Sequence, residues 1–309
     1  MTQTAAPARI GALIWNQYTD WPAMRDIGVR ADELGYDSLW TWDHLYPIVG
    51  DPHGAVLEGY MVMAAWSQHT SHSTIGLMVG ANTFRNPGVV VKMVTTLDHL
   101  SAGRAVLGIG GAWFETEHTA FGIEFGSGFG ERLDWLDESA ELMRGMLRDG
   151  VATARGERYL AADVRNDPAP VQPQLPILIG GAGERKTLRT VARYADAWNV
   201  AMVTPEQAAH KDAVLRRHCE EVGRAPDPLL GVDHQGPVDR ADDPLVDLVQ
   251  LDPALLKREP VEPNREPILL ASLVLGAIAA VFGALAAERI KVAFDSNRAV
   301  RERLGTTVL

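Results

Sequence analysis

Short apolar runs alternate with amphipathic segments from residue 10 to about residue 222. Short apolar runs are typical of strands buried in a parallel sheet, and apolar residues three or four positions apart are typical of helices that cover such a sheet. The alternation therefore predicts six β/α units. The predicted strands are residues 10–15, 37–43, 74–80, 105–109, 176–179 and 197–200, and two strongly periodic helices are predicted at 89–100 and 131–147.

The first and last of the predicted helices carry boundary signals. Asp20 is placed to cap the first helix, and Gly35 is placed to end it in the left-handed conformation that glycine adopts at low cost. Thr204 and Gln207 match a capping box around Pro205 and open the sixth helix. These signals mark where the six-unit region begins and ends.

Six β/α units are two fewer than a closed eight-stranded barrel requires. We predict an α/β fold of the TIM (β/α)₈ type, without recognisable seventh and eighth units, in a domain of residues 1–224. Residues 151–175 are predicted to be an irregular excursion from it. Residues 225–267 hold eight of the 18 prolines, which predicts a linker. The missing units are explained by an unrecognised contribution from residues 225–309, by a partner chain, or by a fusion or frameshifted product.

Residues 268–309 begin with a long apolar stretch. Residues 268–287 contain no charged side chain, and as a helix they would extend about 30 Å, the thickness of the hydrocarbon core of a bilayer. This pattern predicts a membrane-spanning or membrane-inserting helix, followed by a basic tail. A helix buried entirely in protein is the alternative interpretation.

Composition and charge narrow the function classes. A formal net charge of −11 argues against a nucleic-acid partner, because such proteins need a basic surface. Cys219 is the only cysteine, so no internal disulfide can form and a reducing, cytoplasmic compartment is expected. The first nine residues contain no apolar stretch, which argues against a secretory signal. Membrane association is therefore predicted only through residues 268–287.

Candidate chemistry is sought at the carboxyl ends of the strands, because ligands bind there in parallel β/α folds. Trp42, Asp43 and His44 end the second predicted strand. An imidazole titrates near neutral pH, so His44 is the candidate proton donor or acceptor. We interpret Asp43 as a helix cap rather than as a relay partner of His44.

Glycine-rich runs end the fourth and fifth predicted strands. Gly110 and Gly111 leave the main chain open to a flat ring. The glycine-rich run after the fifth strand opens a helix, where free N–H groups and the helix dipole favour an anion. Basic residues follow this run. We therefore predict a monophosphate site at this run. It consists of Gly180, Gly181, Ala182 and Gly183, followed by the basic residues Arg185, Lys186 and Arg189.

Other reaction types find little support in the sequence. No Gly-Lys-Ser/Thr run follows these glycines, which argues against hydrolysis of a nucleoside triphosphate. The nine histidines lack metal-ligand spacing, so we expect no metal, and Cys219 has no catalytic partner. Glu115 and Glu117 are interpreted as members of a solvated loop.

Several ordered motifs together resemble the luciferase-like monooxygenase superfamily, in particular its branch that uses the deazaflavin coenzyme F420. The resemblance covers about residues 8–224. The motifs are, in chain order, Gly-Tyr-Asp-Ser at 35–38, Trp-Asp-His at 42–44, Thr-Phe-Arg-Asn-Pro at 83–87, Leu-Ser-Ala-Gly-Arg at 100–104, the glycine-rich run at 108–113 and Pro-Ile-Leu-Ile-Gly-Gly at 176–181.

This resemblance implies a TIM barrel that holds the cofactor ring at the carboxyl ends of its strands. Met78 and Val79 would form a non-prolyl cis peptide behind the ring. Gly110 and Gly111 would lie beside the ring, and residues 180–183 would hold the cofactor phosphate. The histidine that matches His44 takes the hydroxyl proton of the substrate in the dehydrogenase members of the branch.

One departure from the branch affects the expected substrate. Its sugar-phosphate dehydrogenases have a glutamate where this chain has Trp113. This argues against sugar-phosphate oxidation and favours an apolar or aromatic substrate wall, with Trp15, Trp42 and Tyr46 as neighbours. We therefore expect an F420-dependent oxidoreductase of a small organic molecule. An FMN-dependent monooxygenase and a non-catalytic, membrane-tethered barrel remnant are the alternatives, and a homodimer is a candidate assembly.

Overall fold

The computed structural model of the chain describes residues 10–225. Six parallel strands are each followed by a helix, as the alternation of apolar and amphipathic segments predicts. The strands are β1 (Gly11–Leu13), β2 (Ser38–Thr41), β3 (Thr74–Leu77), β4 (Gly80–Ala81), β5 (Ala105–Gly110), β6 (Val151–Arg155), β7 (Leu160–Arg165), β8 (Ile177–Gly180) and β9 (Ala197–Asn199). The helices are α1 (Trp21–Glu33), α2 (Gly59–His69), α3 (Pro87–Leu100), α4 (Glu115–Phe121), α5 (Phe129–Arg148), α6 (Thr187–Tyr194) and α7 (Pro205–Glu221).

The main sheet runs in the order β1-β2-β3-β5-β8-β9, with β4 as a short continuation beside β5. All of these pairs are parallel. Neighbouring strands are therefore consecutive units along the chain, as in a TIM barrel, and the sheet forms a half-barrel. Within residues 10–225, β1 and β9 each pair on one side only. The predicted fold class is confirmed for these six units.

The two faces of the sheet bury different side chains. On the inner face, Trp40 packs with small and branched residues, and Gly76 leaves room for its ring, since a Cβ there would lie 2.5 Å from the ring. Directly after β1, Ile14 joins the helix-side core, so its neighbours Leu13 and Trp15 face inward, where they are 40% and 49% exposed. The inner cluster consists of Trp40, Val106, Leu178 and Ala197.

The helix boundaries follow the predicted signals. Asp20 accepts a hydrogen bond from the backbone N–H of Ala23 at 2.9 Å, and Gly35 has a φ of +82° just after the end of α1. The capping box between Thr204 and Gln207 is present at the start of α7. Side-chain caps satisfy backbone N–H groups that the first turn of a helix leaves without partners.

Two predictions of local structure were wrong. Residues 151–175 contain the antiparallel hairpin β6–β7, whose turn is held by Glu138 because its carboxylate accepts from the backbone N–H groups of residues 157–159. The third strand is not continuous over 74–80, because the Met78–Val79 peptide separates β3 from β4. That peptide is cis, as the family resemblance implies.

The predicted linker at 225–267 and the predicted apolar helix at 268–287 lie outside the described residues, except for Ala225. Among residues 10–225, no helix is both long and apolar enough to cross a membrane. The division of the chain after residue 224 therefore stays a prediction.

We predict that Gly108→Ala destabilises the fold, because a Cβ at Gly108 would overlap the carbonyl oxygen of Leu77 in the neighbouring strand. Backbone cannot move aside as a flexible side chain can, so the expected loss of unfolding free energy is about 2–4 kcal/mol. Urea unfolding at equal m-values measures it.

Gly130→Ala is the matched control, since its new Cβ would lie 3.8 Å from the nearest atom, the amine of Lys186. This control should change the unfolding free energy by less than about 1 kcal/mol. Equal midpoints for the Gly108 variant and the unmodified chain would contradict the tight packing of β3 against β5.

Candidate active site

His44 lies just beyond β2 and is held by a buried carboxylate. Its Nδ1 atom lies 3.0 Å from Oε1 of Glu117, and the other oxygen of Glu117 accepts from the backbone N–H of Leu45 at 2.8 Å. Glu117 is only 2% exposed. The interpretation of Glu117 as a residue of a solvated loop was therefore wrong, whereas Glu115 is exposed in the same helix.

The segment after β5 forms the helix α4, which brings Glu117 to His44. The helix ends at Gly122, whose φ of +65° is the left-handed C-terminal conformation that glycine favours. His118 fixes the buried side of α4, because its ring nitrogens lie 2.6 Å from the hydroxyl of Thr83 and 2.7 Å from the carbonyl of Phe114. Burial lowers the pKa of His118.

Aromatic rings surround His44. The rings of Trp15 and Trp42 stack at 4.7 Å, and the centroids of Trp42 and Trp113 lie 6.1 and 5.5 Å from the centroid of His44. Trp15 and Trp113 are 49% and 60% exposed. The structure thus brings three of the four predicted pocket residues together around His44. The fourth, Tyr46, packs against Phe121 of α4 at 5.8 Å.

Asp43 anchors the turn after β4 and does not cap a helix, so the interpretation as a cap was wrong. It accepts from the backbone N–H of Ala81 and from the Arg85 guanidinium, both at 2.8 Å. Glu58 instead caps α2 and accepts from Arg85 at 2.7 Å. Burial raises the pKa of Asp43, and the charge of Arg85 opposes that effect. The Oδ1 atom of Asp43 is buried without a partner in the described region.

The Val79 side chain fills the space between Gly110, which was predicted to lie beside the ring, and Gly180, which was predicted to belong to the phosphate site. Gly110 and Gly180 are partners across β5 and β8, and a Cβ on either would lie 2.7 or 2.8 Å from the Val79 methyl group. Gly111 likewise makes room for Leu133 of α5. These positions therefore need glycine because the Val79 and Leu133 side chains pack against the main chain there. The sequence prediction did not include this reason for the glycines.

The loop before α6 presents free donors. The backbone N–H groups of Gly183, Glu184 and Arg185 meet no acceptor within residues 10–225, while the N–H of Gly181 donates to the Asn199 carbonyl. Lys211 of α7 braces the loop by donating to the Ala182 carbonyl at 2.9 Å and to Glu184 at 3.1 Å. This hydrogen bond lowers the pKa of Glu184.

The basic residues of this loop are used differently. Lys186 is held by Asp134 of α5 at 2.7 Å and by the carbonyl of Gly130. Arg185 is exposed and pairs with no carboxylate in the part of the chain that the structure describes. Of the three residues predicted to add positive charge to the loop, Arg185 and Arg189 are therefore exposed without a carboxylate partner among residues 10–225, whereas Lys186 is paired. Within that same part, no three His, Cys, Asp or Glu side chains form a metal-binding group.

Curated relatives match parts of the chain. An F420-dependent glucose-6-phosphate dehydrogenase of Amycolatopsis mediterranei is 33% identical over 171 residues, which are 55% of this chain and 49% of the relative. An uncharacterized protein of Mycobacterium tuberculosis is 32% identical over 148 residues, which are 48% of this chain and 51% of the relative. The chain spans about half the length of these relatives.

Solved structures share the fold. An F420-dependent secondary alcohol dehydrogenase, in complex with an F420–acetone adduct, superimposes with a TM-score of 0.65 at 22% identity and covers 72% of this chain and 67% of that one. The F420-dependent tetrahydromethanopterin reductase of Methanopyrus kandleri gives a TM-score of 0.60 at 19% identity, with 71% and 63% coverage. The luciferase-like monooxygenase model matches residues 2–248, beyond the predicted domain end at 224. The chain belongs to the luciferase-like monooxygenase family.

Proposed function

We propose that this chain is a coenzyme F420-dependent oxidoreductase that interconverts an apolar or aromatic alcohol and its carbonyl form. One observation carries the proposal: His44, at the carboxyl end of β2, is held by the buried Glu117 next to Trp42 and the exposed Trp113. Such an imidazole can accept or return the proton of a substrate hydroxyl. When bound, the deazaflavin supplies the acceptor or donor of a hydride.

The relatives support the choice of cofactor. Two matching curated enzymes, from Amycolatopsis mediterranei and Microbacterium testaceum, are F420-dependent glucose-6-phosphate dehydrogenases at 33% and 31% identity. The secondary alcohol dehydrogenase of the same fold is likewise F420-dependent. These names describe those proteins, and for this chain they favour F420 over other redox cofactors.

The residues at the strand ends fit a flat ring with a phosphate-bearing tail. Val79, Gly110 and Gly180 form a surface with few side-chain atoms beside β5 and β8. The loop after β8 offers the free N–H groups of residues 183–185 and the unpaired charge of Arg185. Backbone donors at the start of a helix bind phosphate well. Residues 180–185 would therefore hold the phosphate, and Met78 and Val79 would lie behind the ring.

The aromatic surroundings of His44 indicate the substrate class. Trp15 and Trp113 are large apolar side chains that are 49% and 60% exposed, and exposed apolar surface next to a reactive group is typical of a ligand site. Trp42 lies between Trp15 and His44. A substrate with an apolar or aromatic group beside its hydroxyl would cover these rings. A sugar phosphate would instead place its charged phosphate group against them.

An FMN-dependent monooxygenase is the second candidate. Solved structures of this fold include a long-chain alkane monooxygenase, with a TM-score of 0.62, and a Baeyer–Villiger monooxygenase in complex with FMN, with a TM-score of 0.58. These proteins share the fold of this chain. His44 favours the dehydrogenase, because a secondary alcohol needs a group that removes its hydroxyl proton.

Cofactor titration tests the proposal directly. The full-length chain is titrated with oxidised F420 and, separately, with FMN, while tryptophan fluorescence is recorded and corrected for absorbance. We expect saturable quenching by F420, because Trp15, Trp42 and Trp113 surround the site. Saturation by FMN alone would replace the proposal with the monooxygenase. Binding of neither cofactor to folded protein would contradict both enzyme functions.

We predict that Arg185→Glu weakens F420 binding about tenfold, because it places a negative charge beside the free N–H groups of the phosphate loop. Arg165→Glu makes the same change of charge on the separate β6–β7 hairpin and should leave the dissociation constant unchanged. The fluorescence titration measures both variants. Equal weakening in the two variants would assign the effect to net charge and contradict the phosphate loop.

We predict that His44→Ala lowers kcat about 10²- to 10⁴-fold, because it removes the proton acceptor. Oxidation of α-methylbenzyl alcohol with F420 is followed by the loss of deazaflavin absorbance, and cofactor affinity is measured separately. The affinity should stay within about twofold of the unmodified chain. His53→Ala, which removes an exposed loop histidine, is the control. Unchanged turnover in His44→Ala would exclude His44 as the acid or base.

A further inference from the structure

We infer that Glu117 is a positioning residue that keeps the proton of neutral His44 on Nδ1 and leaves Nε2 as the proton acceptor for the substrate. The inference deepens the proposed function and rests on it for the use made of Nε2. The tautomer itself depends only on contacts within this chain. Glu117 acts through His44 and has no need to touch the substrate.

The two oxygens of Glu117 have different partners, and one partner can only donate. The backbone N–H of Leu45 donates to Oε2 at 2.8 Å. A carboxylate accepts hydrogen bonds and has no hydrogen to give, so the contact of 3.0 Å between Oε1 and His44 requires a hydrogen on Nδ1. A neutral imidazole carries one N–H group, and Nε2 is then the free acceptor.

Burial makes this arrangement hard to exchange. Glu117 is 2% exposed and the side chain of His44 is 18% exposed, so water competes poorly for the carboxylate. A buried carboxylate without partners is costly, which favours retention of both hydrogen bonds. Helix α4 holds Glu117 in place because the next residue, His118, is itself buried and bonded through both ring nitrogens. The carboxylate therefore reaches His44 from a fixed position.

The position of the proton on neutral His44 determines which ring nitrogen can accept the proton of the substrate hydroxyl. In alcohol oxidation, the O–H bond would break and its proton would pass to Nε2, while the C–H bond of the carbinol carbon would break as hydride, which a bound deazaflavin would accept, and the C=O bond would form. His44 becomes an imidazolium, and the negative charge of Glu117 stabilises it. Glu117 keeps its charge throughout. Carbonyl reduction uses the same groups in reverse.

A glutamine at position 117 should invert the tautomer. The side-chain amide has one acceptor oxygen and one NH₂ group, so it cannot accept from both partners of Glu117. The Leu45 N–H cannot change, and it therefore takes the amide oxygen. The NH₂ group then faces Nδ1, which must accept, and the hydrogen of His44 moves to Nε2. Shape and volume are nearly conserved, which separates this effect from loss of packing.

Heteronuclear NMR of the histidine ring nitrogens tests the inference without cofactor or substrate. The signals of His44 are assigned by their loss in His44→Ala. We expect protonated Nδ1 and unprotonated Nε2 in the unmodified chain, and the reverse in Glu117→Gln. Glu115→Gln removes an exposed charge from the same helix and should leave the His44 signals unchanged. A hydrogen on Nε2 in the unmodified chain, or the same tautomer in it and in Glu117→Gln, would overturn the inference.

Turnover gives a second readout that a merely structural role would not reproduce. With F420 and α-methylbenzyl alcohol, Glu117→Gln should lower kcat at least about 100-fold with KM and F420 affinity within about threefold. In a chain that already carries His44→Ala, Glu117→Gln should not lower kcat any further, because the two residues act as one unit. Additive losses would mean that Glu117 acts independently of His44 and would refute positioning.

The NMR comparison and the turnover assay together distinguish failure of the inference from failure of the proposed function. Absence of F420 binding would contradict the proposed function, while the NMR comparison would still decide the tautomer. If the unmodified chain turned over F420 and Glu117→Gln kept the same tautomer, the proposed function would stand. Only the positioning role of Glu117 would then be contradicted. If Glu117→Gln failed to fold, the tautomer of the unmodified chain would by itself support or overturn the inference.

Discussion

The close approach of β3 and its continuation to β5 and β8 is the constraint on which the candidate site depends. Gly108 lies directly under the Leu77 carbonyl, and Gly110 and Gly180 leave the space that the Val79 side chain fills. Three strands thus meet with almost no side chains between them. Parallel pairing keeps the carboxyl ends of these strands at one edge, so the position of the Met78–Val79 peptide relative to Gly110 and Gly180 is fixed by main-chain contacts.

Polar contacts then connect the neighbouring strand to this packed edge. Asp43 binds the Ala81 N–H, and its charge is matched by Arg85, which also binds Glu58 at the start of α2. His44 follows Asp43 directly, so its backbone is tied to the same edge from one side, and Glu117 holds its ring from the other. An imidazole fixed at both backbone and ring loses little freedom when a substrate binds, which is the physical requirement for efficient proton transfer.

Local patterns predicted the repeating part of this architecture well. The strands, the caps at Asp20 and Thr204 and the turn at Gly35 depend on a few neighbouring residues, so the sequence carries their signals directly. Glu117 was missed because α4 has only seven residues and follows a glycine-rich run, where acidic residues resemble a solvated loop. Its burial depends on contacts with residues 72 and 73 positions away. The neighbouring His118 pairs with Thr83, 35 positions away, and no local pattern indicates that contact either.

The role of Val79 shows a second limit of the sequence. Gly110 and Gly180 were interpreted as openings for a ligand, but the Val79 methyl groups occupy those openings, and the packing needs glycine whether or not a ligand binds. A glycine in a strand indicates that something approaches the backbone closely, and the sequence does not say whether it is a ligand or the protein itself. The hairpin β6–β7 was missed for a related reason, since Glu138, which holds its turn, comes from helix α5.

The segment after β5 combines two roles that are often carried by separate parts of a site. Trp113 and Phe114 lie at 5.5 and 5.9 Å from the His44 ring, and Glu117, one turn further, binds that ring. The aromatic side chains beside His44 and the carboxylate that binds its ring are therefore parts of one short structural unit, braced by the buried His118. A substitution that displaced these side chains by moving α4 would also move Glu117 away from Nδ1. Under the proposed function, substrate recognition and proton transfer would for this reason be mechanically coupled.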